Sequence, residues 1–157
     1  MARAPFQVLV LPYRRGAYGI IEYALFRRAD LDVWQGIAGG GEDLESPETA
    51  AAREAFEEAG IPHRRPLTRL VSVGAIPVEQ FSNRATWDPA VRTVPEYSFG
   101  VDMTNASFRL SQEHSSVRWV EFHTACSLLE WDSNRAALRE LDAQLRKRSS
   151  EFEAHAV

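Results

Sequence analysis

Residues 39–61 read GGGEDLESPETAAAREAFEEAGI, and this stretch decides the fold of the chain. Side chains three and four positions apart share one face of an α-helix, so the carboxylates of Glu54, Glu57 and Glu58 are predicted to lie together. Like charges at this spacing destabilise a helix by roughly 0.2–0.5 kcal/mol per pair. Because Mg²⁺ is a hard cation that binds carboxylate oxygens, the cluster indicates a metal site.

The same stretch contains the boundaries of the helix. Ser46 is a suitable N-cap and Pro47 suits the first helical position, whereas Gly60 is typical of a helix end. Phe56 is expected to anchor the helix in the core. The glycines of residues 39–41 are predicted to form a loop before the helix, where the backbone approaches a ligand or adopts a positive φ.

The composition is that of one soluble globular domain. The 157 residues are 45% hydrophobic and 25% charged, which suits one core over residues 1–157, with a flexible tail over about 149–157. The net charge of −4 argues against a nucleic-acid binder, and no apolar run is long enough to span a membrane. Cys126 is the only cysteine, so an intrachain disulfide is excluded and a cytoplasmic location is expected.

Apolar, β-branched and aromatic runs predict five strands, at residues 6–13, 18–26, 67–76, 95–102 and 116–122. The first two are expected to pair, because only the short connection 14–17 separates them. Leucines recur at helical spacing over about 133–148 and predict a last helix with one charged face. The pattern therefore indicates an α+β or α/β fold with a mixed sheet.

Residues 77–94 form a polar segment too long for an ordinary connection. Phe81 and Trp87 are suited either to stacking on a flat heterocycle or to fastening the segment to the rest of the domain. Arg84 is a candidate contact for a substrate phosphate.

The chain resembles the Nudix hydrolase superfamily at every fixed position of that family's sequence box, namely Gly39, Glu45, Arg53, Glu54, Glu57, Glu58 and Gly60. The resemblance implies an α/β/α sandwich, with the box loop and helix on one side of a mixed sheet and the C-terminal helix on the other. It also implies hydrolysis of a nucleoside diphosphate linked to another group, with Mg²⁺ or Mn²⁺ as cofactor.

Within the superfamily, the chain is most similar to the dihydroneopterin triphosphate pyrophosphatase type. Beside the box, three segments carry this likeness, at residues 27–36, 111–114 and 131–135. The likeness implies that Glu54, Glu58, Glu57 and Glu113 bind the metal, and that Glu113 or Glu57 is the general base. Arg53 is expected to orient the carboxylates by pairing with Glu45 or Glu57.

The same likeness implies substrate contacts. Arg27 occupies the position of a phosphate contact, with a solvated strand end as the alternative. Ser133 and Asn134 are expected either to face the substrate or simply to cap the last helix. Ala38 lies at a substrate-contact position where related enzymes have a hydroxyl residue, and its carbonyl is expected in the metal shell.

The predicted reaction is Mg²⁺-dependent cleavage of dihydroneopterin triphosphate or a (deoxy)nucleoside triphosphate, by activated water, to a monophosphate and pyrophosphate. Two alternatives remain: a non-catalytic nucleotide-binding sensor and a diadenosine polyphosphate hydrolase. The expected partner is a small nucleotide or pterin triphosphate rather than a nucleic acid or a membrane. The oligomeric state is left open, a homo-oligomer included.

Overall fold

The computed structural model describes residues 2–155, and over these residues seven strands form one mixed sheet that carries three α-helices. The strands are β1 (Arg3–Arg15), β2 (Ile21–Arg28), β3 (Trp34–Gln35), β4 (Ile37–Glu42), β5 (Leu67–Pro77), β6 (Thr93–Asp102) and β7 (His114–Glu121). The helices are α1 (Pro47–Ala59), α2 (Phe122–Leu128) and α3 (Asp132–His155). Within residues 2–155, no helix has the length and apolar character needed to cross a membrane.

Strand β1 is the centre of the sheet and pairs with three neighbours. It runs antiparallel to β4 and β2 and parallel to β6, while β2 continues the sheet to β3 and β7, and β6 continues it to β5. The predicted pairing of the first two strands is confirmed by the register of Tyr13 opposite Tyr23. The mixed sheet expected from the sequence is therefore present.

Each face of the sheet carries its own apolar core. Leu9 and Leu11 of β1 pack with Leu138 and Leu141 of α3, whereas alternate β1 residues, including Val8, pack on the α1 side. This separation follows from the period of two along a strand, which sends successive side chains to opposite faces. Because α1 and α3 cover opposite faces, the predicted α/β/α sandwich is confirmed.

Helix α1 has the boundaries that its sequence predicts. The Ser46 hydroxyl accepts a hydrogen bond from the Thr49 N–H at 3.1 Å, and Pro47 is the first helical residue. Gly60 ends the helix in the left-handed region, with φ of 69°. The expectation for Phe56 is wrong, because 42% of its surface is exposed and its ring lies against His63. Alanines supply the buried face of this helix instead.

Residues 39–41 are strand residues of β4, so the predicted glycine loop is also wrong. Their φ angles are not in the left-handed region. Instead, a Cβ on Gly39 would lie 2.1 Å from the Glu54 carboxyl carbon. Glycine is required here because the helix carboxylate lies directly against the strand backbone.

The C-terminal part of the chain differs from its prediction at one boundary. The strand predicted to end at Phe122 instead ends at Glu121, and Phe122 begins α2. Helix α3 continues through His155, and residues 156–157 lie outside the described part. The flexibility expected of the tail over about 149–157 stays a prediction.

The segment 77–94 is fastened to the domain by Trp87. This side chain is only 9% exposed, and its indole N–H donates a hydrogen bond to the Arg3 carbonyl at 2.8 Å. Phe81 meets the Trp87 ring edge to face at a centroid distance of 5.7 Å. Two roles are predicted for these aromatics, stacking on a heterocycle and fastening the segment to the domain. Trp87 has the second role.

Candidate active site

A cavity of about 680 Å³ gathers residues from both ends of the chain. A volume of this size suits a small-molecule ligand. The wall of the cavity includes Arg3, Gln7, Arg28, Ala38, Gly39, Glu54, Glu58, Phe81, Glu96, Glu113, His114, Trp131, Ser133 and Asn134.

Two carboxylates of α1 form one wall of the cavity. Glu54 and Glu58 are four residues apart on the same helical face and are 8% and 5% exposed. Glu54 reaches the cavity because Gly39 leaves room for its carboxylate. Burying two carboxylates is unfavourable without compensating charge, so this wall is suited to binding a cation.

Arg53 supplies positive charge behind this wall. Its guanidinium donates two hydrogen bonds to the Glu45 carboxylate, at 2.9 and 3.0 Å, and one to the Gly40 carbonyl at 2.8 Å. It also donates to Glu54 at 2.9 Å and to Glu57 at 3.2 Å. The pairing predicted for Arg53 is therefore present, and it links α1 to the start of the box.

Glu58 lies in the most unfavourable electrostatic surroundings of the site. Burial, followed by the nearby Glu113 and Glu54 carboxylates, raises the pKa of Glu58 to about 10. Its Oε2 atom has no hydrogen-bond partner among residues 2–155. His114 is buried with its Nδ1 atom 3.7 Å from Glu58, and burial lowers the pKa of His114, which favours the neutral imidazole.

The oxygen donors of this wall fit a divalent cation in their chemistry. A hard cation would neutralise Glu54 and Glu58 and give the unpaired Glu58 oxygen a partner. The side chains are not preassembled as a closed ligand set, since no group of three or more His, Cys, Asp or Glu able to hold a metal is found in the described residues.

Four residues predicted for the site, Arg53 among them, lie outside the cavity wall. The Arg27 guanidinium pairs with Asp32, and Arg84 donates to the Glu79 carbonyl at 2.9 Å. Glu57 is half exposed and is held by Arg53. Roles for these residues in substrate or metal binding stay predictions.

Arg28 lies on the cavity wall in place of Arg27. Successive residues of a strand point to opposite faces, so only one arginine of the pair can face the cavity. In β2, Arg28 pairs with His114 of β7, which places it beside the acidic wall. Its guanidinium forms a salt bridge with Asp30, another wall residue.

Two of the segments that carry the family likeness, residues 27–36 and 131–135, contact each other at the cavity wall. The Asn134 side-chain oxygen accepts a hydrogen bond from the Gly36 N–H at 3.0 Å, and the Trp131 indole donates to Gln35 at 3.3 Å. Asn134 is 2% exposed, so its oxygen serves to join α3 to the β3–β4 connection. Ser133 and Ala38 both lie on the wall, and their substrate contacts stay predictions.

Sequence reasoning missed the polar end of the cavity, formed by Arg3, Gln7 and Glu96. Burial raises the pKa of Glu96, while Gln7 and Ser133 oppose that shift. The available signal was one polar side chain between less polar neighbours in each strand, Gln7 between Phe6 and Val8, and Glu96 between Pro95 and Tyr97. Gln7 and Glu96 are register partners in the parallel pair β1–β6, 89 residues apart in sequence.

A cavity with a buried acidic wall and an arginine suits hydrolysis of phosphoric anhydride bonds, because carboxylates bind the cation that neutralises phosphate. Comparison with known proteins agrees, since the NUDIX domain family matches residues 8–143. The chain belongs to the Nudix family and is a hydrolase of phosphoric anhydride bonds. Enzymes of this family generally use divalent metal ions.

Individual relatives agree with this assignment. The chain is 29% identical over 140 residues to dihydroneopterin triphosphate diphosphatase of Escherichia coli K12, covering 88% of this chain and 92% of that one. A Listeria monocytogenes structure described as a Nudix hydrolase is 41% identical, with a TM-score of 0.83 and coverage of 92% and 97%. A C. elegans Ap4A hydrolase complex, 22% identical with a TM-score of 0.71 and coverage of 90% and 97%, shares the fold.

Proposed function

We propose that this protein is a Mg²⁺-dependent pyrophosphohydrolase that cleaves dihydroneopterin triphosphate, or a (deoxy)nucleoside triphosphate, to a monophosphate and pyrophosphate. The observation that carries the proposal is the buried pair Glu54 and Glu58 facing Glu113 in a cavity of about 680 Å³. The likeness to dihydroneopterin triphosphate diphosphatases supports this choice of substrate.

Glu54 and Glu58 would hold the metal, with Glu113 completing the oxygen ligands. When bound, Mg²⁺ supplies charge neutralisation at the phosphate oxygens and lowers the pKa of a bound water. Arg53 keeps the Glu54 carboxylate in place through its hydrogen bond and is itself anchored on Glu45. The Glu45 contact makes Arg53 a positioning residue rather than a catalytic one.

Glu113 is the better candidate for the general base. It lies on the cavity wall, whereas Glu57 lies outside the wall and is held by Arg53. In the proposed step, a water oxygen bonds to the α-phosphorus, the bond from that phosphorus to the bridging oxygen breaks, and pyrophosphate leaves. The proton of the attacking water passes to the Glu113 carboxylate.

The other chain residues of the site bind and orient the substrate. Arg28 can exchange its contact with Asp30 for a phosphate, to which a guanidinium offers paired donors. Ser133 lies on the wall and would add its hydroxyl as a hydrogen-bond donor there. These contacts would place the α-phosphate between Arg28 and the acidic wall.

The test is pyrophosphate release with Mg²⁺ and with chelator, over dihydroneopterin triphosphate, nucleoside triphosphates and diadenosine polyphosphates. We expect metal-dependent release, lowered at least 1,000-fold by Glu58→Gln, with unchanged circular dichroism. Glu151→Gln is the control, because Glu151 is exposed near the end of α3. Retained turnover in Glu58→Gln would overturn the proposed mechanism.

The same experiment separates the alternatives. Cleavage of diadenosine polyphosphates in preference to triphosphates would indicate a diadenosine polyphosphate hydrolase. Tight nucleotide binding without turnover of any compound would indicate a sensor module. A cytoplasmic location stays a prediction, and the oligomeric state stays open.

A further inference from the structure

Glu96 of β6 is a buried acid in the same cavity as the acidic wall of Glu54 and Glu58. It is 2% exposed and lines the cavity. One carboxylate oxygen, Oε2, accepts a hydrogen bond from the Gln7 amide at 3.0 Å. The other, Oε1, is buried and makes no hydrogen bond within residues 2–155, while the nearby Ser133 side chain favours the ionised form of Glu96. A buried polar atom without a partner costs free energy, so Oε1 is suited to a ligand that supplies a donor.

The contacts behind Glu96 fix which of its atoms accept hydrogen bonds. An Arg3 guanidinium N–H donates to the Gln7 side-chain oxygen at 3.1 Å. Because a guanidinium can only donate, the amide oxygen of Gln7 faces Arg3 and its NH₂ group faces Glu96. The relay from Arg3 through Gln7 therefore fixes Oε2 of Glu96 as a hydrogen-bond acceptor and leaves Oε1 for a ligand.

The position of Arg3 is itself restrained. A Cβ on Gly40 would lie 1.8 Å from the Arg3 guanidinium carbon, so glycine is needed for this approach. The guanidinium also lies over the Phe81 ring, 5.4 Å from its centroid. Arg3 is thus held by the strand backbone and by an aromatic ring, which makes the relay a built feature of the cavity.

The walls around Glu96 suit a flat ring. Phe81 and Trp131 both line the cavity and offer aromatic surface. A Cβ on Gly74 would lie 3.0 Å from Ser133 and 3.4 Å from Glu96, which shows how closely α3 and β6 approach here. Because Glu96 lines the same cavity as Glu54 and Glu58, one ligand can contact the acidic wall and Glu96 together.

We propose that Glu96 recognises the heterocycle of the substrate by accepting hydrogen bonds from a ring N–H and an adjacent exocyclic amino group. This pair of neighbouring donors belongs to the 2-amino-4-oxopyrimidine ring, which guanine and pterins share. The inference rests on the proposed function, because it names the ring that enters the same cavity.

Other common bases lack this pair of donors. Adenine and cytosine present an amino group beside a ring nitrogen that accepts, whereas uracil presents one N–H between two carbonyls. Hypoxanthine retains the N–H of guanine but lacks the amino group. A carboxylate with an unpaired oxygen therefore selects guanine or a pterin, because a site built for a donor rejects an analogue that lacks it.

The first experiment measures kcat/KM of the wild type and Glu96→Gln on dihydroneopterin triphosphate, GTP, ITP and ATP. We expect the wild type to prefer one of the first two over ITP and ATP by about 10–100-fold. In Glu96→Gln, we expect this preference to fall to within about threefold, with little change for ITP. The substrate whose kcat/KM falls more identifies the source of the ring, pterin or guanine.

A second measurement keeps the inference separate from the proposed reaction. Calorimetric binding of guanosine, inosine and dihydroneopterin, all without phosphates, tests Glu96 even if no compound is hydrolysed. Tighter binding of guanosine or dihydroneopterin than of inosine, lost in Glu96→Gln but kept in Glu151→Gln, supports the inference. A preference for adenine, or an equal loss on every ring, overturns it.

Discussion

Two adjacent arginines show how much the environment of a single residue decides. Arg28 lines the cavity beside the acidic wall, whereas Arg27 lies outside the wall and pairs with exposed Asp32. We expect Arg28→Ala to raise KM for the triphosphate about tenfold, which is the loss of one charge-assisted contact to phosphate. Steady-state kinetics on the preferred substrate measure this change.

Arg27→Ala is the matched control, since it removes the same side chain one position away. Its KM should stay within about twofold of the wild type, because exposed ion pairs contribute little. If Arg27→Ala changed KM more than Arg28→Ala, the phosphate contact would belong to the residue selected from sequence.

Arg53 has several partners that a lysine could not hold together. Its guanidinium forms paired hydrogen bonds to Glu45 and further bonds to Glu54 and the Gly40 carbonyl. A lysine is a point charge without this fork. We expect Arg53→Lys to lower kcat about 10–100-fold with a smaller change in KM, because residues that orient metal ligands have effects of this size. An unchanged kcat would show that Glu54 is positioned without Arg53.

At the scale of elements, Glu140 joins α3 to an irregular part of β5. The register between β5 and β6 shifts between Arg69 and Val73, which leaves strand amides without a partner in the ladder. The Glu140 carboxylate accepts hydrogen bonds from the N–H groups of Val71 and Ser72, at 2.6 and 2.7 Å. We expect Glu140→Gln to lower the free energy of unfolding by about 1–2 kcal/mol, as measured by urea denaturation.

The effect of Glu140 should depend on pH. Partial burial opposes ionisation, but hydrogen bonds from Ser72 and the Val71 backbone outweigh it and lower the pKa of Glu140. A carboxyl with a lowered folded-state pKa stabilises the fold above its unfolded pKa, and this stability is lost as pH falls through the folded value. The difference between wild type and Glu140→Gln should therefore shrink below about pH 4.5. A constant difference down to pH 3 would contradict this.

Sequence reasoning succeeded for elements whose signals are local. Helix α1 is bounded by Ser46, Pro47 and Gly60, each of which acts within one helical turn. It failed for β4, because three consecutive glycines are typical of a loop and their strand conformation depends on pairing with β1. It missed Glu96 for a related reason, since only the parallel register with distant Gln7 gives that acid its place in the cavity.

At the scale of the whole molecule, α1 and α3 pack on opposite faces of the sheet, and the cavity takes residues from both helices. The acidic wall works against folding when no cation is present, because Glu58 and Glu54 are buried with raised pKa values. A ligand that binds only the folded state adds stability that grows with its concentration. Metal binding should therefore be visible as global stability, independent of catalysis.

We expect Mg²⁺ at about 100 times its Kd to add about 2.7 kcal/mol to the free energy of unfolding. For a chain of this length, that corresponds to a rise in Tm of roughly 5–10 °C over the protein in chelator. Glu58→Gln should show no rise, and its Tm in chelator should be no lower than that of the wild type, since an amide cannot ionise in this buried position. Arg27→Ala is the control and should respond to Mg²⁺ as the wild type does. An equal rise in Glu58→Gln would mean that the stabilising ion binds away from the α1 carboxylates, and the assignment of Glu58 as a ligand would then be wrong.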